Sequence, residues 1–229
     1  MKSNGSIAAI IVLGALAIAG SAHAIVVGQV DDFQDGTLQG WDNGGAGAPP
    51  VLNINTGGPA GVNDNFMQVT SVGGTGPGRF LTVFNRSQWL GDYITTGVSA
   101  IEMDLRNLGT VNLTIRLAFK DGTGPGAAGY LSQGFSLAAG SGWQHFVFSI
   151  NQATMTAVGA PAPFNSFFST GLGEARIINE AGTGNLNGDT VVAQLGVDNI
   201  HAVPEPSVVA LTSIGGMLAF IAARRRKHV

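Results

Sequence analysis

The stretch AIEMDLRNLGTVNLTIRLAFK, residues 100–120, decides the fold. In its first half Ile101, Met103 and Leu105 alternate with Glu102, Asp104 and Arg106. In its second half Leu113, Ile115, Leu117 and Phe119 alternate with Thr114, Arg116, Ala118 and Lys120. Side chains of a strand point to opposite faces in turn, so a period of two places one set in a core and the other outward. Such one-sided strands belong to antiparallel sheets. The segment Asn107-Leu108-Gly109-Thr110 between them reads as a turn.

The same pattern runs outward in both directions. Further strands are expected over 66–72, 79–85, 130–136, 143–150, 174–179 and 190–203, separated by turns such as GGTGPG and DGTGPGAAG. Glycine and proline punctuate turns, and most of the 35 glycines are scattered between patterned segments. Only residues 151–158 offer a turn or two of helix. Many short strands, no fixed repeat and one domain's length give an all-β fold, a two-sheet antiparallel jelly-roll sandwich over residues 25–203.

Both ends differ from this middle. Lys2, an apolar run over 7–19 and the small residues Ala22 and Ala24 around His23 have the order of a secretory signal peptide, residues 1–24, cut after Ala24. The expected partner there is the Sec translocon. Residues 207–223 are uncharged and apolar, at the lower limit of the roughly 20 residues that span a bilayer. Arg224, Arg225, Arg226 and Lys227 follow, in a basic tail over 224–228. Positive charge beside a span stays cytoplasmic, so the domain before it faces outward, as the signal peptide also requires. Pro204 and Pro206 donate no backbone hydrogen bond and are expected to keep the junction out of the sheet and out of the following helix.

Pro204-Glu205-Pro206, the apolar segment and the basic end together resemble the PEP-CTERM sorting signal, over residues 204–229. That family consists of exported proteins of Gram-negative bacteria that make extracellular polysaccharide. The resemblance implies an inner-membrane-anchored intermediate, processing near the PEP motif by exosortase, and delivery to the cell surface or extracellular matrix. A second resemblance covers the domain. DDFQDGTLQGWDNG (31–44), DNFMQVTS (64–71), GSGWQHFVFSI (140–150) and QLGVDNIHAV (194–203) are similar to strands and loops of jelly-roll carbohydrate-binding modules. This second family implies a structural Ca²⁺ held by Asp32, Gln34, Asp35 and Asp198, with Gln34 standing where an acidic ligand is frequent. Calcium takes six to eight oxygens, and a glutamine carbonyl supplies one with less charge.

Between residues 25 and 203 six basic residues face thirteen acidic ones, a net −7 against −3 for the whole chain. That sign disfavours nucleic acid and anionic lipid as partners. Cysteine is absent, which removes thiol catalysis and the common zinc-finger ligand sets. No nucleophile elbow, HExxH or phosphate loop is present. Glu102 and Asp104 have the residue types of a glycosidase pair but lie on an outward, solvated face. Aromatic rings stack on sugars, and NRSQWLGDY (85–93) offers Trp89 and Tyr93 with Arg86, Gln88 and Asp92 beside them as a glycan contact. Trp41 and Tyr130 are further candidates, although Trp41 and Trp143 are expected in the core. The sequence therefore reads as a non-catalytic, surface- or matrix-directed protein associated with extracellular polysaccharide. A polysaccharide-active enzyme and a self-assembling surface domain are the alternatives.

Overall fold

The computed structural model describes residues 24–45, 47–74, 79–182 and 184–204. The signal-peptide segment up to residue 23, with Ala22, lies outside the described residues, as do Glu205, Pro206, the apolar stretch 207–223 and the basic residues Arg224, Arg225, Arg226 and Lys227. Among the described residues no helix is long and apolar enough to cross a membrane.

In chain order the strands are β1 Val30–Asp31, β2 Trp41–Asp42, β3 Leu52–Ile54, β4 Phe66–Val72, β5 Thr82–Asn85, β6 Val98–Asn107 and β7 Leu113–Lys120. They continue as β8 Gly129–Leu131, β9 Phe135–Leu137, β10 Gln144–Ser149, β11 Thr156–Val158, β12 Glu174–Asn179 and β13 Val192–Pro204. One sheet has the order β10-β6-β13-β4-β3, with β1 on β13; the other has β11-β8-β7-β12-β5-β2, with β9 on β7. All pairings are antiparallel, and the two sheets enclose one core, a jelly-roll-like sandwich.

The deciding stretch forms β6 and β7, and its apolar set, Ile101, Met103, Leu105, Leu113, Ile115, Leu117 and Phe119, is buried between the sheets. β13 runs through the middle of the first sheet. Asn199 adopts a positive φ of 50° there, and the register with β6 shifts between Asp198 and His201. This bulge lets Val197 and Ile200 both enter the core and turns His201 outward.

Local chemistry redirects several expected elements. Residues 79–81 stay outside the strand that begins at Thr82. The expected strand 130–136 breaks into β8 and β9 around Gly134, where a Cβ would come within 2.7 Å of the Thr114 side chain. Residues 156–158 pair with β8 and are strand, not helix. Pro204 does not stand clear of the sheet: it ends β13 opposite Val98, after a register shift at Val203. A proline is tolerated at such a strand end because no further ladder donor is needed.

Candidate functional site

The outer face of the second sheet is built by strand parity. In β5, Val83 enters the core while Thr82 and Phe84 face out, and Arg86 continues the outward row. In β12, Ala175 and Ile177 enter the core while Glu174, Arg176 and Ile178 face out. Part of this face is sealed by Leu186, which packs with Ala118, Leu131 and Ile178. The remainder opens as a groove of about 440 Å³, with Phe80, Phe84, Arg86, Arg176, Asn43 and Asn187 among its walls.

Glu174 anchors this groove. Its side chain is fully buried, and it accepts from Arg86 Nε at 2.5 Å and from Arg176 Nε. A buried carboxylate is tolerated only when paired, and here two guanidinium groups share it. Arg176 also donates through Nη1 to Asn187 Oδ1 at 3.1 Å and Leu186 O at 3.3 Å. Behind it Lys120 donates Nζ to Gly124 O at 3.1 Å and Asn187 Oδ1 at 3.2 Å. Burial, and then the charge of Arg176, lower the Lys120 pKa. The Arg86 guanidinium lies 3.9 Å from the Phe84 ring centroid, a cation–π arrangement. Gly44, at φ +63°, backs that ring: a Cβ there would sit 2.7 Å from its tip.

Of the glycan contacts expected from sequence, Arg86 reaches this groove, and Trp89 and Tyr93 do not. Trp89 is 0% exposed because its indole turns inward and donates to Asp31 Oδ2 at 2.5 Å. Tyr93 is 1% exposed, donates its hydroxyl to Trp89 O at 2.8 Å and packs edge-on against Phe119 and Phe168. Burial pushes its hydroxyl pKa far above the ordinary range. Asp92 is spent as the cap of the one-turn helix α1, Tyr93–Thr96, where it accepts from Thr95 N at 2.8 Å. Trp41 is in the core as expected, and Tyr130 is buried with its hydroxyl on Ala162 O at 3.0 Å. Trp143 is not in the core. It is half-buried on the outer face of the first sheet, edge-on to Phe66 and donating to Gly57 O at 2.8 Å.

Phe80, Arg176, Glu174 and Asn187 were not singled out from sequence. The pattern GLGEARIIN does show Glu174 and Arg176 on one face, two residues apart. What it cannot show is Arg86, 88 positions away, sharing that carboxylate.

The outer face of the first sheet carries the carboxylates of the suggested glycosidase pair. His201 Nδ1 lies 2.8 Å from Glu102 Oε1, and His145 lies 3.5 Å from Glu102 Oε2 and 3.0 Å from Asp104 Oδ1. Asn199 donates to Asp104 Oδ2 at 2.8 Å. Both carboxylates are thus engaged by neighbouring strands on a solvated surface.

The expected calcium ligands do not fit a cation as a set. Asp35 is exposed and turned to Thr37, accepting from its N and Oγ1 at 2.8 Å each. Gln34 presents its amide nitrogen, not its carbonyl, to the local oxygens. Nε2 donates to Asp64 Oδ1 at 2.9 Å, Asp32 O at 3.1 Å and Asn65 O at 3.3 Å, while Oε1 accepts from Asn65 N. Reversing that amide would set an oxygen against three oxygens, so the network fixes its orientation. Asp198 is fully buried, with Oδ1 on Asn199 N at 2.7 Å and Oδ2 unpartnered. Burial, with the charges of Asp64, Asp104 and Asp32, raises its pKa to about 7. Among the described residues no group of three or more His, Asp or Glu side chains is arranged to hold a metal ion.

No protein-family model and no curated protein matches the sequence. Solved structures do match. A family 11 carbohydrate-binding module from Clostridium thermocellum, in complex with a β-1,3-1,4-mixed-linked tetrasaccharide, superposes with a TM-score of 0.50 at 17% identity, covering 78% of this chain and 97% of that one. An exo-β-agarase superposes with a TM-score of 0.52 at 10% identity over 78% of this chain, which spans only 26% of the agarase. At these identities the likeness is one of fold: the chain folds as an antiparallel two-sheet sandwich of the kind used by carbohydrate-binding modules.

Proposed function

We propose that this chain is an exported, non-catalytic polysaccharide-binding protein whose ligand lies in the groove over Glu174. The observation that carries this reading is the groove itself. The segment leading into β5 brings a half-buried ring, Phe80, beside two guanidinium groups and the amides Asn43 and Asn187. Sugars are bound by this combination of an apolar face and fixed hydrogen-bonding groups. The module-like sandwich supports the reading. The N-terminal signal, exported through the Sec translocon, and the PEP-CTERM-like tail, held in the inner membrane until exosortase acts, would carry the domain to the cell surface or extracellular matrix of a Gram-negative bacterium.

Affinity electrophoresis of the full-length chain in detergent, through gels containing soluble polysaccharides, tests the binding. At least one polymer is expected to retard the protein, and Phe80→Ala is expected to weaken that retardation by about tenfold, the scale of losing one stacking ring. Unretarded migration in neutral and acidic polymers alike would overturn the proposal.

A further inference from the structure

We infer that the groove over Glu174 selects acidic polysaccharide, one bearing carboxylate or sulfate groups, through the outward edge of the Arg86 guanidinium. This rests on the polysaccharide-binding reading and narrows its ligand class.

The charge distribution is the first support. The charged residues lining the groove are Arg86 and Arg176, with no acid among the lining. Lys120 lies directly behind them, and Glu174 is the one carboxylate they share. Asp121, whose charge also reaches Lys120, is exposed on the adjoining turn and does not line the groove. Counting Asp121 and Asp42, which faces out beside Phe84 on the edge strand, the wider face has three cations and three anions, so the excess of positive charge is confined to the groove's own lining. The surrounding domain has the opposite sign, six basic residues against thirteen acidic ones. A local excess of positive charge on an acidic domain favours a ligand that brings its own negative charge.

The geometry of Arg86 is the second. Nε is fixed on Glu174 at 2.5 Å and Phe84 supports the guanidinium plane, so the group is held without its terminal nitrogens being used. Among the described residues Nη1 and Nη2 of Arg86 make no hydrogen bond, and the side chain is 44% exposed. A planar fork that is already oriented and still open suits the paired oxygens of a carboxylate or sulfate. Double-stranded nucleic acid, with one charge per roughly 1.7 Å of its axis, would place most of its phosphates against the acidic remainder of the domain, whereas a polysaccharide with at most one charge per sugar is severalfold less densely charged.

The test is isothermal calorimetry of the full-length chain in detergent with two matched pairs, polygalacturonate against its methyl ester and a dextran sulfate of at most one sulfate per sugar against dextran, with oligo(dT) as a further probe. The charged member of at least one pair is expected to bind about tenfold more tightly than its uncharged partner, the scale of one charge-assisted pair. The pair that shows the preference identifies carboxylate or sulfate as the recognised group. Arg86→Gln is expected to abolish the preference. Thr123→Glu places an acid on an exposed rim position where folding does not depend on it, and is expected to reduce the preference as well. Equal binding of charged and uncharged members, lost together in Phe80→Ala, would overturn the selectivity and leave polysaccharide binding standing. A preference untouched by both substitutions, or tighter binding of oligo(dT), would overturn it too. Absence of binding to all four polysaccharides would remove the polysaccharide-binding reading itself.

Discussion

Trp89 donates its indole N–H to Asp31 Oδ2 at 2.5 Å, and Trp41 donates to the same oxygen at 2.8 Å. The two rings lie 6.3 Å apart, and Gln88 Nε2 adds a third donor at 3.2 Å. Burial raises the Asp31 pKa, and the indole hydrogen bonds oppose that rise. One carboxylate on a two-residue strand thereby ties β1, β2 and the loop after β5 to the core. It also explains why Trp89 is unavailable to a ligand: its polar edge is consumed inside.

Asp31→Asn should therefore destabilise the domain by about 1–3 kcal/mol, since a neutral amide oxygen accepts the two indole N–H groups more weakly than a carboxylate and the amide nitrogen turns a donor toward Gln88 Nε2. Trp89→Phe should lower stability by a similar amount through the lost hydrogen bond and smaller ring, with polysaccharide affinity unchanged in the folded fraction. Urea denaturation of both variants beside the parent checks the first claim, and the retardation assay checks the second.

The contrast between β6 and Trp89 shows what was legible in the sequence. The alternation over 100–120 records burial of one face, a local property with period two, and the structure follows it residue by residue. Trp89 depends on an acceptor 58 positions away, which no local pattern reveals. Its polar neighbours suggested exposure because Arg86 does face solvent, but the strand-to-helix turn that follows carries the indole inward. The same limit applies on the first sheet, where Glu102 and Asp104 read correctly as outward. Their partners His145 and His201 are set by the registers of β10 and β13. The orientation of Gln34 is hidden for the same reason: its nitrogen is turned to Asp64 and Asn65, about 30 positions away, which no local pattern reveals.

Asp198 gives the stability a pH dependence. Its folded pKa is about 7 against an ordinary 3.8, so between these values the folded state keeps a proton that the unfolded chain has released. Stability must then fall as pH rises from about 4 to 7 and level off above, by an amount on the order of 4 kcal/mol at full shift. Asp198→Asn should remove that slope and be more stable than the parent at pH 8. Because Gln34 occupies the neighbouring oxygens as a donor, 5 mM EDTA or CaCl₂ should leave the melting temperature within about 1 °C of the untreated protein, a change well under 1 kcal/mol. A calcium-induced rise of several degrees would contradict this account of Gln34.

Gly129 faces Lys120 across the β7–β8 ladder, and a Cβ on it would lie 1.8 Å from the Phe119 carbonyl oxygen. Phe119 is fully buried in the core, so its backbone cannot retreat. Gly129→Ala should cost more than about 3 kcal/mol, the range reserved for overpacking and backbone conflict. Gly126 has nothing within 4 Å of the corresponding position, and Gly126→Ala should fall within about 0.5 kcal/mol of the parent. Thermal melts of the two variants separate a steric requirement for glycine from a general need for flexible turns.

The last prediction concerns the ends that the proposed export would leave. Ile25 is 0% exposed and its backbone N donates to Leu90 O at 2.8 Å, whereas Ala24 beside it is exposed. A cut after Ala24 leaves the residue that plugs the core in place, and the new ammonium group retains a donor for Leu90. Removing one residue more would uncover the core. Since Ile25 is inaccessible once docked, the proposed cut after Ala24 is expected to precede folding. At the other end Pro204 is the last described residue of β13, so a cut after it would leave every described pairing of that strand in place. The intact mass of the protein released from the native host is accordingly expected to correspond to a chain starting at Ile25 and ending between Pro204 and Pro206, with or without an added group. A mass that still includes Arg224, Arg225, Arg226 and Lys227 would make the tail a permanent anchor and confine polysaccharide binding to the membrane surface.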